Sequence, residues 1–324
     1  MTTVAELTEA EIIELLQKYL PGSSDMVELG IGDDAAVLTL NSRTLVTSTD
    51  MMIEDLDFRL SWSESSGYSQ GWKAFVQNAA DIFSMGATPT AMLLTLGLPP
   101  STDVEYVKGI AQGITDCAQR EYQLKDFSVI GGDLSASDKL IISVTIFGEL
   151  LGNKALTRSG AKVGDVLLLA GIPGKAALGL AQLEGKFPVE HLDARSWQLQ
   201  PRPPFEVVQD VVHDATAMID TSDGLLKDAA RIARASGVCL DISTKKLEAS
   251  LLFYGQAATL HDTEILHMML SGGEDHNLLF TMPAAAVPQW AIDKNYVIGC
   301  VQAGKGVKVD GQSVKDEGWE HFIS

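Results

Sequence analysis

Residues 217–235, AMIDTSDGLLKDAARIARA, decide the fold class. Ala217 to Asp220 reads as a short apolar strand, the Thr221-Ser222-Asp223-Gly224 turn ends it, and Leu225 to Ala235 reads as a helix. Val238 to Ile242 returns as a strand. A strand, an acidic turn, a helix and a further strand are the unit of an α/β domain.

The same alternation extends outward. Asn277 to Thr281 reads as a strand downstream; upstream, strand Val166 to Ala170 and helix Lys175 to Leu183 precede a Pro-rich connection at 201–204. Before Gly152 a separate mixed pattern runs. Thr8 to Tyr19 opens with a Thr-x-x-Glu capping box (Thr8, Glu11) and stops at Pro21-Gly22. Ala35 to Leu40 and Thr44 to Asp50 are expected strands, and Gly71 to Met85 an expected helix. Thr90 to Leu98 is strand-like, Asp103 to Glu121 is helical after a Ser101-Thr102 cap, and Phe127 to Ile130 and Leu140 to Glu149 are strands. A chain of 324 residues exceeds what one core usually serves, so two α/β domains are expected, 1–150 and 151–324.

Composition narrows the function. Lys and Arg number 24 against 43 Asp and Glu, a formal charge of −19 that repels nucleic acid and anionic membranes. An anionic substrate then needs a cation as intermediary. Apolar runs such as Val166 to Ala170 are far too short for a bilayer span, and no basic stretch followed by an apolar one opens the chain, so a cytoplasmic protein is expected. Three cysteines, Cys117, Cys239 and Cys300, form no CxxC pair, as expected of single thiols in a reducing compartment.

Four acidic segments stand out: 30–34 (GIGDD), Ser48-Thr49-Asp50, Gly131-Gly132-Asp133, and the turn from Asp220 to Gly224. Three of them close expected strands, where α/β proteins bind ligands. Crowded carboxylates repel one another and call for cations, and hard oxygen donors suit Mg²⁺. Any one segment alone reads more readily as an ordinary turn; the four together favour a site. Asp81, within the apolar stretch NAADIFSMG (78–86), is expected to be partly buried and relieved either by a metal or by a salt bridge.

Other motifs fail on inspection. The GxGxxA match at Gly30 leads into a strand instead of a helix, and Gly171-Ile-Pro-Gly-Lys175 is too short for a Walker loop. The stretch from Asp220 has Leu225 and Arg231 where a calcium loop needs Gly and Glu. The six histidines form no HExxH and no recognisable triad. Phosphoryl transfer is compatible with that lack, because positioning and charge neutralisation supply most of its catalysis.

The strings GIGDDAAVL, STDMMIEDLDF, NAADIFSMGATP, VIGGDLSAS, ALTRSGAKVGD, IDTSDGL, LSGGEDHNL and GWEHF, in this order from Gly30 to Phe322, resemble the thiamine-monophosphate kinase family of the aminoimidazole ribonucleotide synthetase-like superfamily. The resemblance implies a two-domain α/β fold with a mixed-sheet N-terminal domain, a homodimer joined through those domains, and transfer of the ATP γ-phosphate to thiamine monophosphate assisted by several Mg²⁺ ions. It implies Asp34, Ser48, Thr49, Asp50, Asp81, Asp133, Asp220 and Asp223 as metal ligands, and Gly132, Asp133, Arg158 and Ser222 as ATP contacts. Asp57, Glu274 and Trp319 fall at thiamine-binding positions, Asp57 standing where some members carry histidine. Arg158 is a charged fork suited to phosphate, and Trp319 offers a π-face to a cationic thiazolium; each reads equally as a surface arginine or a packing anchor. Other branches of the superfamily fit less well: the first cysteine is Cys117, far from the N-terminal reactive residue of a selenophosphate synthetase, and the chain ends in Ser324 instead of the modifiable cysteine of the hydrogenase-maturation branch. A non-catalytic metal-binding module is the alternative of another class.

Overall fold

The computed structural model describes residues 3, 6–20, 27–29, 37–38, 44–62, 64–187, 189, 192–315 and 318–319. The chain separates at Leu151/Gly152 into two compact units, with the short turn Ser84–Gly86 grouping with the second. Among the described residues no helix is long and apolar enough to cross a membrane.

The first unit contains α1 (Glu9–Tyr19), the two-stranded pair β1 (Val27–Leu29) and β2 (Val37–Leu38), then β3 (Leu45–Ile53), α2 (Gly67–Ser84), β4 (Ala87–Leu98), α3 (Val104–Asp116), β5 (Ser128–Ala136) and β6 (Ile141–Leu150). The expected capping box is present: Thr8 accepts from the Glu11 amide and Glu11 accepts from the Thr8 amide. The four-stranded sheet has the order β3-β6-β4-β5, with β6 antiparallel to β3 and β4 and β5 parallel to β4. One face, carrying Met52, Val144, Ile146, Met92 and Leu96, is buried. Gly148 of β6 brings the sheet so close to α2 that an added Cβ would lie 2.4 Å from Ile82 Cγ2.

Helices α2 and α3 meet backbone to backbone. A Cβ added at Gly71 would lie 2.0 Å from the Ile110 carbonyl oxygen, and one at Gly113 would lie 2.0 Å from that of Tyr68. Glycines spaced four apart on both helices (67 and 71, 109 and 113) make this contact possible, and it sets the position of α2 on the sheet. The Ser101-Thr102 cap expected for α3 is corrected: Asp103 is the N-cap, its side chain accepting from the Glu105 amide. After Asp116 the helix widens into a π-turn, Cys117–Glu121.

The second unit contains β7 (Asp165–Ala170), α4 (Lys175–Leu183), α5 (Arg195–Leu199), α6 (Val207–Val211), β8 (Ala217–Thr221), α7 (Leu225–Ser236), β9 (Cys239–Ile242), α8 (Thr244–Tyr254), α9 (Gln256–Ser271), β10 (Asn277–Pro283), α10 (Gln289–Asp293), β11 (Val297–Gln302), β12 (Gly306–Val309) and β13 (Gln312–Ser313). Among the described residues its sheet runs β13-β12-β9-β11-β7-β10-β8, with β9/β12 the parallel pair and the others antiparallel. Leu167, Leu169, Ile219, Leu240 and Leu279 from the strands pack with Leu178, Ala229, Ile232 and Ile265 from the helices into one core. This is a helix-on-sheet layer built on a mixed sheet.

Candidate active site

The strand-end placement of two acidic segments is corrected by the sheet. Ser48, Thr49 and Asp50 lie in the middle of β3, and Gly131, Gly132 and Asp133 in the middle of β5. Asp220 is the penultimate residue of β8. The β3 strand continues because nine consecutive residues find partners on β6, from Leu45 opposite Glu149 to Ile53 opposite Ile141.

Ser48, Asp50 and Asp81 come together on the helix-covered face. Ser48 Oγ donates to Asp81 Oδ2 at 2.5 Å, and the Asp50 amide donates to Asn78 Oδ1 at 3.0 Å. Asn78 and Asp81 are three residues apart on α2, hence on one helix face. Asp81 is half-buried, and the Ser48 hydroxyl is one of its partners. Asp57 turns back on the chain, its Oδ2 accepting from the Ile53 amide at 2.7 Å, while the buried Lys73 Nζ donates to the Asp57 carbonyl at 3.3 Å.

Asp133 is elsewhere on the sheet. Asp50, Val144, Leu94 and Gly132 form one transverse row, which places Asp50 and Gly132 on opposite edge strands. At the usual strand spacing they are roughly 14 Å apart. The next row is Met51, Ser143, Thr95 and Asp133, so Asp133 points to the opposite face from Asp50. Thr49 shares that open face, its Oγ1 donating to the Val144 carbonyl at 2.8 Å and accepting from Thr145 Oγ1 at 3.1 Å. Gly132 is held against β4 so tightly that a Cβ would lie 1.7 Å from the Leu94 carbonyl oxygen. Asp34 lies outside the described residues.

In the second unit the β8–α7 turn gathers the other candidates. Asp220, 4% exposed, faces His276 Nδ1 at 3.3 Å. The Asp223 amide donates to Asp228 Oδ2 at 3.1 Å, and Arg231 bridges the two acids, 2.5 Å from Asp228 Oδ1 and bonded to Asp223 Oδ2. Lys227 Nζ lies 3.3 Å from Asp223 Oδ2. Burial, reinforced by the Asp220 charge, pushes the Asp228 carboxyl up to about 7 against the opposing Arg231.

Sequence reasoning missed Asn78, Asp228, Arg231 and His276. The Asp228–Arg231 spacing on α7 was the one local signal.

Backbone contacts bring two thiamine-site candidates to the same turn. The Glu274 amide donates to the Ser222 carbonyl at 2.8 Å, and the Trp319 amide to the Asp223 carbonyl at 2.9 Å. Gly318 makes the second contact possible, since a Cβ there would lie 2.5 Å from the Asp223 oxygen. The Trp319 side chain is 59% exposed. Arg158 is exposed on a segment whose backbone is pinned by Ser236: Ser236 Oγ donates to the Arg158 carbonyl at 2.9 Å and accepts from the Gly160 and Ala161 amides at 3.1 Å.

The donors available are carboxylate and hydroxyl oxygens in small groups. Among the described residues no three His, Cys, Asp or Glu side chains converge on one point. Hard oxygen donors suit Mg²⁺, which adds water and phosphate oxygens to its shell; they do not suit structural zinc, which takes nitrogen or sulfur ligands.

Residues 32–150 match the family described as AIR synthase related protein, N-terminal domain. The thiamine-monophosphate kinase of Mycobacterium tuberculosis is 36% identical across 99% of this chain and 93% of its own, and that of Aquifex aeolicus is 33% identical across 98% and 99%. A solved structure, AaThiL complexed with AMPPCP and TMP, superposes with a TM-score of 0.77 at 31% identity, covering 99% of each chain. On identity of this level over its full length, the chain belongs to the thiamine-monophosphate kinase family.

Proposed function

We propose that this chain transfers the γ-phosphate of ATP to the phosphate of thiamine monophosphate, giving thiamine diphosphate and ADP. The observation that carries the reading is the AaThiL complex, similar over 99% of the chain, which holds AMPPCP and TMP. AMPPCP stands in for ATP, a methylene group replacing the oxygen between its β and γ phosphorus atoms.

The roles are those the family resemblance implies, and the chemistry of each position is compatible with them. Ser48, Asp50 and Asp81 on the helix-covered face, Thr49 and Asp133 on the opposite face, and Asp220 and Asp223 of the second unit, with Asp34, would hold Mg²⁺ as separate groups, for which their oxygen donors are suited. When bound, the ions neutralise charge on the transferring phosphate. Gly132, Asp133, Arg158 and Ser222 would face ATP: glycine lets the backbone approach phosphate, and the exposed Arg158 guanidinium offers a planar donor fork. Asp57, Glu274 and Trp319 would hold the thiamine portion. Glu274 accepts hydrogen bonds from an aminopyrimidine, and the exposed Trp319 ring stacks on the thiazolium. Transfer is direct and in line, because alignment and charge neutralisation leave no need for a dedicated base.

The first unit, residues 1–150, would supply the Mg²⁺ cradle and the dimer contact, and residues 151–324 would complete the nucleotide and thiamine sites. A homodimer is supported by the open face of the four-stranded sheet, where Leu45 is 40% and Met51 51% exposed.

One assay tests the reading: ADP release from ATP and Mg²⁺ with and without thiamine monophosphate, with the product identified by mass. Metal binding without thiamine-dependent ADP release would leave only a binding module. Chiral γ-phosphate transferred with retention of configuration would sink the in-line step.

A further inference from the structure

Glu274 is constrained from three directions. Its backbone adopts φ 67°, in the left-handed region that a glutamate rarely occupies. Its amide is bonded to the Ser222 carbonyl, and its Oε2 accepts from Gln198 Nε2 at 2.5 Å. Gln198 lies on α5, 76 positions earlier, and is 2% exposed.

The Gln198 amide is oriented by this one contact. A carboxylate only accepts, so the amide nitrogen must face Glu274, which leaves Gln198 Oε1 buried with no partner among the described residues. A buried acceptor without a donor is unfavourable for folding. An apolar side chain of the same volume would remove that penalty but also lose the bond to Glu274, and the two changes are of similar size, so stability alone gives little reason for a glutamine here.

We propose that Gln198 is a positioning residue that holds the Glu274 carboxylate in the direction required by the substrate's heterocycle, and so sets selectivity for it without touching it. This rests on the assignment of Glu274 to the aminopyrimidine made above. A fixed carboxylate binds a flat heterocyclic amine better than a rotating one, because the rotamer is already ordered before binding. Gln198 acts on that step alone, so its removal weakens the thiamine substrate and spares the nucleotide.

The test is Gln198→Leu in the full chain, with Gln198→Met as the second variant should leucine fail to fold. Saturation curves are measured for thiamine monophosphate and for ATP, together with melting curves. The expected result is a KM for thiamine monophosphate raised several-fold to about tenfold, as the loss of one pre-ordered side-chain rotamer implies. The KM for ATP, kcat at saturation and Tm stay at wild-type values, or Tm rises. An unchanged KM for thiamine monophosphate, equal weakening of both substrates, or a lowered Tm in both variants overturns the proposal and leaves Gln198 a packing residue. Glu274→Gln separates this failure from failure of the underlying assignment. If that variant keeps the wild-type KM for thiamine monophosphate, Glu274 does not face the substrate and both readings fall; if it is impaired while Gln198→Leu is not, only the positioning role falls.

Discussion

Gly132→Ala is the smallest change that should displace the Asp133 backbone without altering any charge. The added Cβ would lie 1.7 Å from the Leu94 carbonyl oxygen and 2.6 Å from its carbon, where Cβ atoms essentially never come within 3.0 Å of other atoms. The obstacle is backbone in the adjacent strand β4, so β5 itself must retreat by more than 1 Å at this point. Overpacking of this kind costs about 1–3 kcal/mol, and each ladder hydrogen bond lost adds about 1 kcal/mol. At about 2–4 °C per kcal/mol, the melting temperature should fall by roughly 4–15 °C. On the proposed placement of Gly132 and Asp133 at the nucleotide, a displacement of this size should lower kcat/KM for ATP about 100-fold. Gly131→Ala is the control, since its Cβ would meet only Leu93 Cδ2, at 3.2 Å, a side-chain end that can move. Differential scanning calorimetry and steady-state kinetics on both variants decide the matter. A Gly132→Ala protein that melts within 2 °C of wild type and keeps kcat/KM within about twofold would refute the close approach and the positional argument with it.

Asp50→Asn and Asp133→Asn should each lower turnover by on the order of 100-fold while the fold persists, because each removes a charge from a proposed Mg²⁺ ligand; near wild-type rates at limiting Mg²⁺ would contradict the metal role. Trp319→Ala should raise the KM for thiamine monophosphate several-fold to about thirtyfold with ATP affinity unchanged, and Trp319→Phe should recover part of the loss. Its backbone bond to Asp223 survives both changes, so weakening of both substrates alike would mark the ring as a packing element. Lys175, half-buried 3.7 Å over the Trp197 ring, is pushed down to about 8 by burial, against the pull of Asp275. Because its neutral form is favoured in the fold, its contribution to stability is present above pH 10.5 and is lost as pH falls through about 8. The shift corresponds to at most about 3 kcal/mol, of which the aromatic contact offsets about 1–2 kcal/mol. Lys175→Met should therefore melt higher than wild type at pH 7, with the gap closing toward pH 10; a gap independent of pH would refute this.

Features with local causes were legible without the fold. Thr8 and Glu11 are three residues apart and satisfy each other's backbone, so the start of α1 needed no partner. Gly174 at φ 80° precedes α4, whose limits Lys175 and Leu183 matched the expected ones. Features with distant causes were not. The end of β3 is set by how far β6 runs beside it, which moved Ser48, Thr49 and Asp50 from a strand end into a strand. The face on which Asp50 and Asp133 point depends on register across four strands, and one residue of slip would reverse it. Four acidic segments could thus be picked out by composition and matched to a family by order, because each segment's chemistry resides in its own side chains. Which of them meet was decided only when the chain closed. Ser48 with Asp81, 33 residues apart, and Gln198 with Glu274, 76 apart, are contacts between residues that share no helical or strand period, and only packed tertiary structure holds them together.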